Sequence, residues 1–169
     1  GGGMGHAAEP LLEDLKSADP ARHAEASVRA AEYFNSHPYL AGLALGALVR
    51  AEYDLVPGAQ ISRLRAALTS PLGALGDQFF WAGAVPAAMG LALLGVVAGY
   101  GVLTIALVLV GYNLIRGATE VWSLTTGLEY GMKVGQALGD SWLPRSIPLA
   151  GTLAGIAIGV AVPLAADWL

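Results

Sequence analysis

The stretch that decides the fold runs from Gln78 to Ile115 and reads QFFWAGAVPAAMGLALLGVVAGYGVLTIALVLVGYNLI. It contains no Asp, Glu, Lys or Arg over 38 consecutive residues. Because one helix needs about 20 residues to cross a bilayer, this length predicts two short spans rather than one. Gly99-Tyr100-Gly101 lies near its middle, and glycine adopts the backbone conformations that a tight turn requires. We therefore predict a helical hairpin at residues 78–115.

The composition of the whole chain also favours a location in lipid. Of 169 residues, 55% are hydrophobic and 13% are charged, whereas ordinary soluble domains carry roughly 25% charged residues. The net charge of −4 argues against a nucleic-acid-binding protein. The chain has no cysteine, which excludes disulfides and thiolate metal sites. The soluble alternative is a buried core hairpin, but the rest of the chain is too short to cover two such helices.

The sequence as a whole predicts an all-α membrane protein. Gly1 to Gly3 precede Met4 and resemble a cloning remnant, and no signal peptide is evident. We predict that residues 4–36 form short amphipathic helices in the cytoplasm or at the membrane interface. The second of these helices starts at Asp19-Pro20. Residues 37–166 form the expected membrane domain. Its parts are a re-entrant or buried helix at 38–49, a loop at 71–77, the hairpin at 78–115, a glycine-striped helix at 119–139 and a transmembrane helix at 146–166.

Basic residues on either side of the hairpin suggest its orientation. Arg63 and Arg65 precede it and Arg116 follows it, whereas its tip is uncharged. The positive-inside rule then places both ends of the hairpin on the cytoplasmic face. The chain is therefore expected to cross its membrane more than once.

Glycines recur at every fourth position in two segments, which predicts close helix packing. In lipid, helices associate mainly through tight contacts, and glycine lets two backbones approach. Gly42 and Gly46 would allow the same approach within the helix at 38–49. The alternative is that glycine is simply frequent in membrane helices. The two stripes consist of Gly127, Gly131, Gly135 and Gly139 and of Gly151, Gly155 and Gly159.

Several polar residues lie among apolar ones and are candidates for a functional path. Asn113, Arg116 and Glu120 share one helical face, and intramembrane ionisable groups often line substrate paths or protein interfaces. The alternative is a neutralised Arg116–Glu120 pair just outside the hydrocarbon. Glu129 and Lys133, four residues apart, predict a structural ion pair.

Catalytic machinery is not evident in the sequence. His37 precedes Pro38, a position where a lone histidine more often forms a hydrogen bond at a turn than catalyses a reaction. No metal-ligand spacing, nucleophile motif or phosphate-binding loop is present, so we assign no catalytic residue, no metal and no cofactor.

Four segments resemble one known family, and they occur in the same order and at similar spacing. They are FNSHPYLAG at 34–42, PLGALGDQFFW at 71–81, Asn113 to Arg116 and GLEYGMKVG at 127–135. The chain is similar to the IID component of the mannose/fructose/sorbose family of the bacterial phosphotransferase system. The resemblance extends from about Arg22 to Ala161.

This resemblance implies a transport subunit rather than an enzyme. Such a subunit pairs with a IIC membrane partner in a larger oligomer and carries a hexose-type sugar, while IIA and IIB relay phosphate and IIB phosphorylates the sugar. The phosphohistidine lies on those other proteins. Arg116 would then lock a helix against IIC, together with Glu129, Lys133 and the glycine stripes. The candidates for the sugar path are Asn35, His37, Asp77, Asn113 and Glu120, whose side chains can hydrogen-bond to hydroxyl groups.

The length of the chain leaves a second function open. Family members are commonly longer at both ends. The alternative is therefore a reduced, non-transporting assembly or regulatory protein of the same fold.

Overall fold

The computed structural model describes residues 3–166, and all regular secondary structure in that range is helical. The α-helices are α1 (Gly3–Ala8), α2 (Glu13–Ala18), α3 (Pro20–Ala31), α4 (Ala41–Tyr53), α5 (Gly58–Gly76), α6 (Val85–Val97), α7 (Gly101–Tyr130), α8 (Val134–Asp140) and α9 (Trp142–Ala166). Three short 3-10 helices lie at Glu9–Leu11, Pro38–Leu40 and Gly131–Lys133, and a π-helix lies at Asp77–Ala84. The predicted cloning remnant lies only partly within the described residues.

The chain divides into two compact units. Among the described residues, the first comprises 3–73 and 119–140, and the second comprises 74–118 and 141–166. Each unit is therefore built from two separate segments of the sequence.

In the first unit, the N-terminal helices pack on α4 through small apolar side chains. The buried cluster consists of Ala8, Leu12, Leu15, Ala26 and Val49. Helix α3 begins as the sequence predicts, because the Asp19 carboxylate accepts a hydrogen bond of 3.0 Å from the Arg22 amide and Pro20 occupies the first turn.

An ionic network fixes α3 to the end of α4. The Glu52 side chain is 4% exposed and accepts hydrogen bonds from Arg29 Nε at 2.8 Å and Arg29 Nη2 at 2.9 Å. Arg22 Nη2 lies 3.2 Å from Glu52 Oε2 and also donates to the Val56 carbonyl at 2.8 Å. A buried carboxylate needs this degree of pairing, because an unpaired charge inside a protein is strongly unfavourable.

The C-terminal end of α3 receives a further arginine. Arg65 of α5 is buried and donates to the main-chain carbonyls of Arg29, Ala30 and Glu32. The last carbonyls of a helix have few helical partners, although that of Arg29 also accepts the Glu32 amide at 3.3 Å, and a positive charge is favourable at this end. The contact therefore ties α5 to the amphipathic N-terminal segment.

Helix α4 packs against α7 by direct backbone contact. A Cβ added at Gly46 would lie 2.6 Å from both the Leu124 carbonyl oxygen and the Leu128 nitrogen, and one added at Gly127 would lie 2.9 Å from the Ala47 nitrogen. The close approach expected at Gly42 and Gly46 is confirmed, with α7 as the partner.

The segment 119–139 is not one continuous helix, contrary to the sequence-based expectation. Gly131 has a φ of +49°, a left-handed conformation that ends α7 and starts a 3-10 turn before α8. The interruption changes the spacing that would bring Glu129 to Lys133, and within residues 3–166 these two side chains form no ion pair.

In the second unit, α6 packs on α9 through small residues. A Cβ on Gly83 would lie 2.7 Å from the Ala150 Cβ, and one on Gly90 would lie 2.7 Å from the Ala157 Cβ. The chain turns between α6 and α7 at Gly99, where φ is +88°. Just before this turn, Gly95 faces Thr104 closely enough that a side chain would not fit.

The loop expected at residues 71–77 is wrong. Helix α5 continues through Pro71 to Gly76 and passes directly into the π-helix. Proline lacks one backbone donor, but membrane helices tolerate it where neighbouring groups satisfy the freed carbonyl. The residues that suggested a loop therefore lie in a continuous helix, and the irregularity nearby is the change from α-helix to π-helix at Asp77.

Two helical stretches of the described residues are long and apolar enough to cross a membrane. They are Gly58–Val97, with a mean hydropathy of 1.9, and Gly101–Ala166, with a mean hydropathy of 2.0. In each, 17% of the most apolar window is buried within the protein. The apolar side chains thus face outward, as expected for helices in lipid rather than in a soluble core.

Candidate functional site

The π-helix of the second unit presents a polar and aromatic face. Asp77, Gln78, Trp81 and Ala82 line an open depression of about 640 Å³. All four residues are exposed, and the Trp81 side chain is 52% exposed.

The opposite face of the π-helix anchors it. Phe79, Phe80 and Gly83 are buried. The Phe79 ring lies edge-on to Phe80 at 4.9 Å and to Trp142 at 5.5 Å between ring centroids. Such edge-to-face packing is favourable and fixes the ring positions. The exposed face therefore stands on a rigid support.

The five candidates for the sugar path are divided between the two units. Asn35, His37 and Glu120 lie in the first unit, whereas Asp77 and Asn113 lie in the second. Of these residues, only Asp77 belongs to the depression on the π-helix.

His37 lies at a turn and is 2% exposed. Its Nδ1 accepts a hydrogen bond of 3.4 Å from the Tyr39 amide, which caps the 3-10 helix that begins at Pro38. The His37 ring also lies edge-on to Tyr39, with 4.9 Å between centroids. This geometry gives His37 a capping role. Asn35, two residues earlier, is exposed.

The polar face of α7 runs along its exposed side. Asn113 is exposed, and its Nδ2 donates to the Leu109 carbonyl of its own helix at 2.8 Å. Its neighbours in a shallow depression are Leu109, Val110 and Leu114. Arg116 is exposed and Glu120 is partly buried.

The glycines of the two stripes have different surroundings. Gly127 contacts α4, and Gly131 ends α7 beside the Arg50 side chain. The others are exposed, and within the described part of the chain no heavy atom of a neighbouring segment lies within 4 Å of the Cβ that each would carry. They are Gly135, Gly139, Gly151, Gly155 and Gly159.

Helix α9 uses a different stripe to pack on α6. Its buried residues include Ala150, Ala154, Ala157 and Ala161. At 3.6 residues per turn, the Gly151–Gly159 stripe lies about a third of a turn away from these alanines. The glycine stripe of α9 is therefore an outer face of the second unit.

Sequence reasoning missed the glycine contacts that support the π-helix and the ionic network of the first unit. Gly83 of the π-helix and Gly90 of α6, seven residues apart, both contact α9, and their spacing on one helical face was the available signal. The partners of Glu52 lie 23 and 30 residues earlier in the chain, and no local pattern identifies them. Among residues 3–166, no group of three or more His, Cys, Asp or Glu side chains is placed to hold a metal ion.

Comparison with known proteins identifies a family and a related structure. Residues 1–167 match the family EIID-AGA, described as the PTS system mannose/fructose/sorbose family IID component. The chain is also similar to a chain in the cryo-electron-microscopy structure of the mannose transporter ManYZ in complex with microcin E492 (MceA). That match has 25% sequence identity and a TM-score of 0.56, and it covers 84% of this chain. Among curated protein sequences, none matches.

The chain spans 53% of the length of the ManYZ chain to which it is similar. The helical structure, the outward-facing apolar side chains and the likeness to a membrane transporter identify an all-α membrane protein. With residues 1–167 matching the family description, the chain belongs to the IID component family of the mannose/fructose/sorbose phosphotransferase system.

Proposed function

We propose that this chain is a membrane subunit of a sugar-transporting phosphotransferase system. It acts with a IIC partner to translocate a hexose-type sugar, which IIB phosphorylates after IIA has supplied the phosphate. The observation that carries the proposal is the family match over residues 1–167. The similar structure is described as a mannose transporter, which supports a hexose as the cargo.

The proposed location is the bacterial inner membrane, crossed more than once. The two long apolar stretches, with their outward-facing side chains, support this assignment. The turn at Gly99 between α6 and α7 supports a hairpin topology.

The outer face of α9 is the proposed contact with a neighbouring membrane subunit. Gly151, Gly155 and Gly159 are exposed there and lack a side chain that would hold a second helix at a distance. The other partner-contact candidates from the sequence remain proposals for each unit by itself: Arg116 in the second unit, and Glu129, Lys133, Gly135 and Gly139 in the first.

The proposed subunit carries no phosphohistidine of its own. His37 is buried and serves as a helix cap, which supports a structural role for it. His6 and His23 lie on the N-terminal helices α1 and α3. Replacing His6 and His23 together by Gln is expected to leave sugar uptake within about twofold of normal, because neither side chain carries phosphate in this proposal. A twofold change corresponds to well under 1 kcal/mol. Loss of uptake in a stably expressed double variant would indicate that the chain carries phosphate.

The proposed function is tested by sugar uptake in cells that express the cognate IIA, IIB and IIC. Deleting this chain should abolish the accumulation of phosphorylated hexose, and restoring it should recover accumulation. A deletion strain that accumulates sugar phosphate at the normal rate would refute the proposal and favour a non-transporting assembly role.

The proposed interface is tested by co-purification with IIC. Gly155→Leu should reduce the recovered IIC about tenfold or more, the loss expected for roughly 1.4 kcal/mol of binding energy. Val160→Phe is the matched control, because it adds bulk at an exposed position of α9 on a different face. Equal recovery of IIC with both variants would remove the glycine stripe from the interface.

A further inference from the structure

We propose that the exposed face of the π-helix, formed by Asp77, Gln78, Trp81 and Ala82, binds the sugar ring directly. Trp81 stacks on the apolar C–H face of a pyranose, and Asp77 and Gln78 hydrogen-bond to its hydroxyl groups. We call these four residues the π-helix platform. This inference rests on the proposed function, because it assigns that function a contact site on this chain.

The helical spacing brings these residues onto one face. Asp77 and Trp81 are four residues apart, as are Gln78 and Ala82, so both pairs lie on the side opposite the buried Phe79 and Phe80. π-helical segments are rare and occur frequently at functional sites. Here the segment replaces an α-helical turn between α5 and α6.

The chemistry of the platform matches a neutral, hydroxyl-rich ring. An ionised Asp77 carboxylate accepts hydrogen bonds, whereas the Gln78 amide both donates and accepts. A hydroxyl group needs both kinds of partner because it is itself a donor and an acceptor. The Trp81 indole adds a flat apolar surface and one N–H donor. Ala82 has only a methyl group, which allows the ring to approach the helix.

The surroundings of the platform favour a removable ligand. The depression is shallow and nearly flat, so a sugar can enter and leave without a rearrangement of the π-helix. The buried aromatic contacts of Phe79 keep the support fixed while the ligand exchanges. A purely structural tryptophan at a membrane surface would instead favour lipid headgroups, and the experiments below separate these two cases.

The first experiment measures chemical protection and does not require transport. The chain contains no cysteine, so Ala82→Cys introduces a single thiol on this subunit. The variant is assembled with its partner subunits in membrane vesicles and labelled with a charged maleimide, with and without mannose or glucose. His6→Cys, whose position is 91% exposed and outside the depression, is the matched control.

We expect a saturating aldohexose to slow labelling of Ala82→Cys about fivefold or more and to leave the labelling of His6→Cys unchanged. A fivefold ratio of rates corresponds to roughly 1 kcal/mol. Mannitol has the hydroxyl groups but no ring, so it should protect weakly. Adding Trp81→Leu should abolish protection. Identical labelling with and without both hexoses would overturn the proposal, as would protection that persists undiminished with Trp81→Leu. No labelling under any condition would also overturn it, because the face would then be inaccessible to a solute.

The second experiment measures the kinetics of uptake. Trp81→Leu and Gln78→Ala should each raise the KM for hexose uptake about tenfold with little change in maximal rate, because the contacts bind substrate rather than accelerate a step. Trp81→Phe keeps a ring and should have a smaller effect. Leu91→Ala, on the exposed surface of α6, is the control. Unchanged KM values at normal membrane abundance would overturn the proposal.

The two experiments separate failure of the site from failure of the proposed function. Normal uptake without protection would refute the π-helix platform and retain the transport function. Protection without uptake would retain the platform and refute transport.

Discussion

Replacing Glu52 by Gln should destabilise the first unit more than any other single exchange of an acidic side chain for its amide. Glu52 is 4% exposed, and its two oxygens are fully used by Arg22 and Arg29. Glutamine retains one acceptor oxygen but presents its NH₂ group to guanidinium donors. The variant therefore leaves two arginines, each less than one-fifth exposed, without their counter-charge.

The magnitude follows from the burial of the network. Breaking a buried ion pair by removing one partner costs about 3–5 kcal/mol. Arg22 keeps its hydrogen bonds to the main-chain carbonyls of Glu52 and Val56, both at 2.8 Å, which reduces its share of the loss. We therefore expect a loss of about 3 kcal/mol for Glu52→Gln, at the lower end of that range.

The electrostatic environment of Arg29 sets the pH range of this effect. The hydrogen bond to Glu52 is the largest influence on Arg29 and, against the opposing effect of burial, raises the pKa of this guanidinium above its ordinary value. A raised pKa on a cation contributes stability that is fully present below the ordinary pKa and is lost only as pH rises through the raised one. The contribution of Arg29 is therefore constant through neutral pH.

The assay is denaturant titration of the purified protein in detergent micelles, followed by circular dichroism. Glu25→Gln is the matched control, because Glu25 pairs with the same arginine but is 72% exposed. Exposed pairs contribute about 0–1 kcal/mol, so this variant should be nearly neutral. Limited proteolysis should also cut α1 to α3 faster in Glu52→Gln than in Glu25→Gln. The reasoning would be refuted if Glu52→Gln and Glu25→Gln lost stability to within about 1 kcal/mol of each other and were cut by protease at the same rate.

Four further substitutions test the packing and the helix start. Gly46→Ala would place a methyl group 2.6 Å from main-chain atoms of α7 and should cost about 1–3 kcal/mol in thermal unfolding. Gly135→Ala, in contrast, meets open space among the described residues and should be neutral or stabilising. A Cβ at position 90 would lie 2.8 Å from the α9 backbone, so Gly90→Leu would force α6 away from α9. The variant should lose the monodisperse peak in size-exclusion chromatography. A normal peak would contradict the packing. Asp19→Ala removes the α3 cap and should lower the free energy of unfolding by about 1 kcal/mol, and an unchanged value would remove the cap from the account.

The sequence predicted the parts of the fold that depend on local composition. Absence of charge over residues 78–115 identified apolar helices, because burying ionic groups in lipid is unfavourable whatever the tertiary structure. The Asp19 cap and the close approach at Gly46 were likewise visible, since each depends on one residue type in one local setting. The resemblance to the IID family added the functional class, which composition alone did not identify.

The remaining features depend on contacts between distant segments or on small energy differences. Pro71 suggested a loop, but the helix continues through it and the irregularity appears instead as a π-helix. Gly131 was read as one member of a stripe, whereas its positive φ ends α7. Trp81 entered the sequence analysis only as part of the PLGALGDQFFW segment, because no local pattern indicated that it lies exposed beside Asp77 and Gln78.

The most direct test of the central claim is sugar flux through purified subunits in proteoliposomes. Vesicles containing IIC together with this chain should take up labelled hexose faster than empty vesicles, and vesicles containing either subunit alone should not. Equal flux through IIC alone and through the pair would contradict a role for this chain in translocation.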